Sequence, residues 1–171
     1  MDMTLYTPRL TLRPLRDSDA ADFAALATPE VTRNIRSLST GMSAAEALAD
    51  FPRRRWRGQT GYTQGIAHKD RLIGAIGFGT DPSIGYYLHP DYWGQGLMSE
   101  ALGVFLPAIF ARFPINRLYA GHFEDNPASG AILRKFGFTE TGRDTGTSKA
   151  RLEPAPVITY ALARDRLRVL V

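Results

Sequence analysis

Two glycines and an amide side chain stand just ahead of an apolar run in Trp93-Gly94-Gln95-Gly96-Leu97-Met98-Ser99, after the strand-like segment Ile84-Gly85-Tyr86-Tyr87-Leu88. That spacing suits an anion. The first turn of a helix leaves amide N–H groups without intrahelical partners. Its partial positive charge is worth about 0.3–1 kcal/mol to an exposed anion and up to about 2 kcal/mol when partly buried. Glycine lets the backbone adopt positive φ and come close to a ligand. Strand, glycine loop and helix together make a cradle for a diphosphate; the same residues also suit a plain tight turn. No Gly-Lys-Ser/Thr follows, so this is not a nucleotide-hydrolase P-loop, and the three-glycine dinucleotide fingerprint is absent.

A second group lies downstream, in His122-Phe123-Glu124-Asp125-Asn126-Pro127-Ala128-Ser129. His122 and Glu124 are two apart at a strand end and share a face. Both are candidate general bases, with Asp125, Glu140 and Asp144 as further options. Asn126 and Pro127 read as a helix N-cap and first position, with Ser129 three residues on. The chain has no cysteine. That excludes disulfides, thiolate metal sites and a cysteine nucleophile, and it fits a cytoplasmic protein. No metal site is expected.

These residues need a scaffold. The sequence has 171 residues, 44% hydrophobic and 22% charged, which suits a single globular domain, 1–171, with one core. No apolar run approaches the roughly 20 residues of a membrane helix, and no secretory leader is read at the N-terminus. Net charge is +4, spread along the chain except at Arg53-Arg54-Arg55 with Arg57. That run reads as a solvated helix face or as a contact for phosphate or an acidic partner.

Leu10, Leu12 and Leu15 alternate with polar residues, which predicts a strand ending near Pro14. A helix follows, capped by Asp17 or Ser18 and ended by Pro29. A second opens at Ser43 with a Ser43/Glu46 capping box and is disturbed at Pro52. Tyr62–Ala67, Leu72–Phe78 and Ile84–Leu88 read as an antiparallel meander turned at Lys69-Asp70 and Asp81-Pro82. Leu97–Arg112 has helical periodicity, with a break expected at Pro107. Arg117–Phe123 is a strand, and the helix from Asn126 stops at Gly137. Phe138–Thr141 and Val157–Leu162 are strands around a polar, mobile excursion from Gly142 to Pro156. The fold class is α/β (α+β): a mixed sheet with helices packed on it.

Three blocks in this order, "RLTLRPLRDSDA", "IGYYLHPDYWGQGLMSEAL" and "NPASGAILRKFGF", resemble the GNAT superfamily of N-acetyltransferases, in particular its ribosomal-protein N-terminal (Rim-type) branch. The resemblance spans Leu10 to Leu162. It implies a mostly antiparallel central sheet of about seven strands, helices on both faces, and a splayed central pair, Ile84–Leu88 against Arg117–Phe123. Gly85 marks either a bulge that opens this gap or a glycine tolerated in a packed strand.

The resemblance further implies acetyl-CoA as cofactor, its diphosphate held by backbone around Trp93, Gly94, Gln95, Gly96, Leu97, Met98 and Ser99. Here Trp93 stands where the family has Gln or Arg, and Met98 where it has a small residue. The pantetheine arm would pair near Leu88, with Asn126, Ser129 and Lys135 also on the cofactor. Ser129 would hydrogen-bond the sulfur or relay its proton. The acceptor pocket would be walled by Arg33, Asn34, Arg36, Trp56 and Tyr86. The expected function is acetyl transfer to a primary amine, of a protein N-terminus or a small molecule, by direct attack in a ternary complex. A homodimer is possible on this resemblance, and no membrane partner is expected. One alternative is a catalytically weak acyl-CoA-binding sensor or scaffold. Another, ranked lower, is an RNA- or ribosome-binding protein using Arg53–Arg57.

Overall fold

A computed structural model describes residues 3–56 and 61–170. Arg57 lies outside the described residues. The chain runs β1 (Leu5–Tyr6), β2 (Thr11–Pro14), α1 (Ala20–Ala25), α2 (Pro29–Thr32), α3 (Ala44–Arg54), β3 (Tyr62–His68), β4 (Arg71–Phe78), β5 (Ile84–Leu88), α4 (Leu97–Arg112), β6 (Arg117–Phe123), α5 (Pro127–Lys135), β7 (Thr139–Gly146) and β8 (Ala155–Ala163). Strands β1 to β5 form an antiparallel sheet in chain order; β6, β8 and β7 form a second sheet in that order. Lys69 and Asp70 both adopt positive φ between the paired His68 and Arg71, the geometry of a two-residue hairpin turn.

The mixed sheet with a splayed central pair is present. Among the described residues, β5 and β6 meet as strands only at a parallel bridge, Ser83 to Tyr119, where Tyr119 N–H donates to the Pro82 carbonyl at 3.0 Å. Beyond it the ladder divides into sheets of five and three strands. Gly85 is not a bulge: it pairs in register with Gly77, and the irregularity in that sheet lies between Ile66 and Ala67.

Helices cover both faces. Leu97, Met98, Ala101, Leu102, Phe105, Leu106, Ile109 and Phe110 of α4 are buried, packing with Ile66, Ile76 and Leu118. On the other face Leu15, Leu72 and Ala75 meet Phe23, Leu26, Ala47 and Phe51 of α1 and α3. Each of the Leu, Ile, Met and Phe side chains among them contributes about 1.5–3 kcal/mol on full burial.

Several prolines act differently from expectation. The first helix ends at Ala25, and Pro29 opens α2 instead, with Thr28 Oγ1 accepting from Val31 N–H at 3.3 Å. Proline lacks the N–H that a first helical residue would leave unused. Pro107 is accommodated inside α4, and Pro52 sits near the end of α3. The Ser43/Glu46 box forms as expected, at 3.1 and 2.7 Å. The excursion is shorter than predicted, because β7 runs on to Gly146 and only 147–154 lie outside strands.

One buried ion pair fixes the entry to the helices. Arg13 of β2 donates to both carboxylate oxygens of Asp19 at 2.8 and 2.9 Å, with both residues buried. Removing one partner strands the other charge, so Asp19→Ala is expected to destabilise by about 3–5 kcal/mol in urea unfolding. Ser43→Ala, which removes a surface cap, should cost about 1 kcal/mol.

Candidate active site

The gap follows from where each strand spends its hydrogen bonds. His89 N–H donates to the Ile73 carbonyl at 2.8 Å, so alternate residues of β5 face β4. The peptide groups of Tyr86 and Leu88 therefore face outward. On β6, the Asn116 carbonyl accepts from Arg164 and Glu124 N–H donates to Pro156, both toward β8. Gly121 and Phe123 are thus turned toward the gap. Trp93 folds back so that its indole N–H donates to the Leu88 carbonyl at 2.9 Å. The Phe123 carbonyl accepts from Asn126 N–H at 2.9 Å.

At the mouth of the gap the glycine loop has the shape its sequence predicts. Gly94 and Gly96 both have φ +73°, and Gly96 is the N-cap of α4. A Cβ on Gly94 would touch nothing within 4 Å, so open space lies above the turn. The first helical bond is Glu100 N–H to the Gly96 carbonyl, 3.0 Å. It leaves the amides of Leu97, Met98 and Ser99 without helical acceptors. Leu97 and Met98 bury their side chains in the core, which turns this N-terminus toward the gap's mouth.

Two cations border the turn. Lys135 Nζ, from the last turn of α5, is 3.4 Å from Ser99 Oγ. Arg9, which sequence reasoning missed, donates from Nη1 to the Gln95 carbonyl at 3.0 Å and from Nε to Glu100 at 2.7 Å. Its Nη2 lies 3.7 Å from where a Gly96 Cβ would stand. Burial opposes ionisation of Glu100, but bonds from Thr7 and Arg9 outweigh it and hold its carboxyl below the usual range. The signal was weak in sequence, because Arg9 is 91 residues from Glu100. Open space, unpaired amides and flanking cations fit a diphosphate group.

Across the gap, Tyr86 of β5 meets Ser129 in the first turn of α5. The phenol donates to the Ser129 carbonyl at 3.2 Å and lies 3.0 Å from its Oγ. Burial pushes the Tyr86 phenol up to about 12, with the Ser129 bond opposing. Asn126 sits at the N-cap of α5, but its side chain makes no capping bond there.

The candidate bases separate. His122 is buried, with Nδ1 2.7 Å from the Phe123 carbonyl and Nε2 3.1 Å from the Tyr160 hydroxyl. Nδ1 therefore carries the hydrogen and Nε2 accepts. Glu124 is exposed and accepts from Arg143 at 2.6 Å. Asp125 is held well below the usual carboxylate range, first by hydrogen bonds from Arg151 and then by those from Arg33.

Arg33 and Asn34 face Asp125 through Arg151, and Arg36 reaches over Gly146, where a Cβ would lie 2.6 Å from its Nη2. Trp56 is not brought to this site. It packs edge-on against Tyr62 and Phe113 beyond the C-terminus of α4. The glycine loop is at the other end of that 16-residue helix, roughly 24 Å away. It packs against the core there and lines a small cavity with Met3, Pro14, Tyr62 and Arg112.

Residues 9–139 match the acetyltransferase (GNAT) domain family. An uncharacterized N-acetyltransferase of Bacillus subtilis (strain 168), YoaA, is 34% identical over 152 residues, covering 81% of this chain and 84% of the relative. The uncharacterized N-acetyltransferase p20 of Bacillus licheniformis is 30% identical over 161 residues, covering 87% of this chain and 90% of the relative. Among solved structures, a ribosomal L7/L12 alpha-N-protein acetyltransferase, RimL, in complex with coenzyme A superposes with a TM-score of 0.82 at 21% identity, covering 96% of this chain and 99% of that one.

The cradle can be tested by titration calorimetry. Gly96→Ala meets no clash but must hold an L-residue at positive φ, so a stability loss of about 1–2 kcal/mol is expected. Gly96→Asp adds a negative charge beside the phosphates and should abolish acetyl-CoA binding. Arg9→Ala should weaken it. Unchanged affinity in Gly96→Asp refutes the cradle.

Proposed function

The chain belongs to the GNAT acetyltransferase family, an acetyl-CoA-dependent family of N-acetyltransferases, and from that premise we propose that it acetylates a primary α-amine by direct attack in a ternary complex. The acceptor is a protein N-terminus or a small molecule bearing such an amine. The observation that carries this reading is the splayed β5–β6 pair, with the anion cradle at its mouth and the Tyr86–Ser129 pair spanning it.

Acetyl-CoA supplies an acyl thioester: a C–N bond forms, a C–S bond breaks, and the nitrogen's surplus proton balances the thiolate's need for one. Backbone amides at 97–99, with Lys135 and Arg9, hold the phosphates. The outward peptide groups of Tyr86 and the outward N–H of Leu88, whose carbonyl is taken by Trp93, would orient the arm in the gap. Ser129 offers its hydroxyl to the sulfur. With a pKa near 12 against about 8.5 for a free cysteine thiol, Tyr86 keeps its proton. It acts as a hydrogen-bond donor that fixes Ser129 rather than as the acid.

The amine must arrive neutral, and this bears on the acceptor class. Neutralising an α-amine of pKa near 8 costs about 1.4 kcal/mol at pH 7, a lysine near 10.4 about 4.6 kcal/mol. Of the candidate bases, His122 donates and accepts within a buried network, Asp125 is clamped by two arginines, and Glu124 is paired. A site with these three groups thus engaged suits the α-amine, which water can serve. The solved relative whose name assigns it an alpha-N-protein substrate supports the same class.

The test is thiol release from acetyl-CoA with a panel of N-terminal peptides, amino acids, lysine side-chain analogues and polyamines. The pH profile of kcat/KM should rise with the amine's own pKa, near 8 for an α-amine, and Tyr86 should add no limb below about 11. Preference for lysine or polyamines would overturn the α-amine assignment. Ser129→Ala should lower kcat by about tenfold or more with little change in acetyl-CoA affinity. Intact turnover would make Ser129 structural. Binding without transfer to any amine would favour the sensor reading instead.

A further inference from the structure

Arg151 lies in the loop 147–154, which joins β7 to β8, yet its side chain is only 9% exposed. Its guanidinium joins three separate segments. Nη1 and Nη2 donate to the two oxygens of Asp125 at 2.9 and 2.7 Å, a bidentate fork. Nε donates to the Arg33 carbonyl at 3.0 Å, and Nη2 also reaches Asn34 Oδ1 at 3.2 Å. Its Cζ stands 3.8 Å from the centre of the Phe123 ring. Two further bonds close the ring of contacts: Arg33 Nη2 to Asp125 at 2.6 Å and Ser148 Oγ to the Arg33 carbonyl at 3.0 Å.

Each segment has a distinct place in the fold. Phe123 ends β6, the strand that forms one wall of the gap, and Asp125 precedes the first turn of α5, which carries Ser129. Arg33 and Asn34 close α2 and begin the turns leading toward α3. None of these connections is supported by a strand ladder. The planar fork of Arg151 makes most of the bonds that set the turn at 33–34 against the end of β6, with the direct Arg33–Asp125 pair beside it.

We propose that Arg151 is the positioning residue of the acceptor side, clasping the wall at 33–34 to the strand end and helix start where the amine must be presented. This rests on the acetyltransfer reading above. The clasp holds geometry and touches neither the glycine loop nor Lys135. It also takes one acceptor position on each oxygen of Asp125 and offsets its charge, which weakens that carboxylate's pull on a cationic amine. Lysine cannot replace arginine here, because an ammonium is a point charge without the planar fork.

The experiment pairs steady-state kinetics, using the best amine from the thiol-release panel, with calorimetric acetyl-CoA binding. Arg151→Lys should raise KM for the amine by about tenfold, with kcat and the acetyl-CoA Kd within about twofold of wild type. Asp125→Asn should shift KM in the same direction. Added guanidinium ion should partly restore KM in Arg151→Ala; if that variant does not fold, Arg151→Lys carries the test. An unchanged amine KM in Arg151→Lys overturns the clasp alone. So does a parallel loss of acetyl-CoA affinity, which would make Arg151 a general scaffold residue. Wild-type protein that binds no acetyl-CoA, or binds it and acetylates no amine, overturns the acetyltransfer reading and the clasp with it.

Discussion

A β-strand has two edges, and the structure depends on β5 and β6 each using only one of them over most of its length. β5 is committed to β4 through its whole length, and β6 to β8. Past the bridge at Ser83 and Tyr119 their facing edges pair with no strand among the described residues. A buried peptide group left unsatisfied costs about 1–3 kcal/mol, so this slot must hold water or an extended molecule with amide groups of its own. The arm of coenzyme A is such a molecule. The fold thereby makes a binding slot from the backbone alone, and this makes the slot tolerant of side-chain change. Replacing the family's Gln or Arg by Trp93 illustrates the tolerance, because the indole turns back to the Leu88 carbonyl and leaves the loop amides untouched.

The two ends of the slot differ in charge. At the end proposed for the phosphates, the free amides of α4 lie beside Lys135 and Arg9, and one carboxylate there, Glu100, is already bonded by Arg9 and Thr7. Screening by water limits what each exposed cation contributes; the sum of dipole and charges at one point is what favours a dianion. At the acceptor end the charges are spent on one another: Arg33 and Arg151 on Asp125, Arg143 on Glu124. Because Asp125 titrates far below its ordinary value, its bonds persist above about pH 4 and fail only as pH falls through the lowered pKa. The Arg33–Arg151–Asp125 cluster, the proposed acceptor wall, therefore keeps one arrangement throughout the range in which an α-amine titrates.

Sequence carried what is local. The hairpin at Lys69-Asp70, the Ser43/Glu46 box, the strand Arg117–Phe123 and the left-handed glycines of the loop depend on neighbours a few residues away, and all were legible. Tyr86 and Ser129 were each singled out in the sequence, but their contact was not legible, since 43 residues separate them. Arg9 and Arg151 were invisible for the same reason: their partners lie on other elements, and a surface arginine in a turn-rich segment has no periodicity to betray it. Trp56 failed in the opposite way, because an aromatic residue near a predicted loop fits a pocket wall and a core equally well. His122 and Glu124 do sit two apart on β6 and its end. Pairing with β8 and packing of α5 then buried the first and left the second outside.

The burial of His122 bears on where Ser129 stands. Its Nε2 meets the Tyr160 hydroxyl, which Arg134 of α5 also reaches at 3.1 Å. Gly130 lies directly over this pair: a Cβ there would fall 2.5 Å from His122 Nε2 and 2.8 Å from the Tyr160 hydroxyl. Only glycine allows α5 to approach so closely, and that approach brings the adjacent Ser129 to the phenol of Tyr86. The imidazole that looked like a base in the sequence instead forms the floor on which the helix rests. The serine's position is then fixed from below by His122 and Tyr160 and from across the gap by Tyr86. In the proposed reaction, a hydroxyl held from two sides would lose little freedom on bonding the sulfur, and a site without a strong acid would in that way still favour departure of a thiolate.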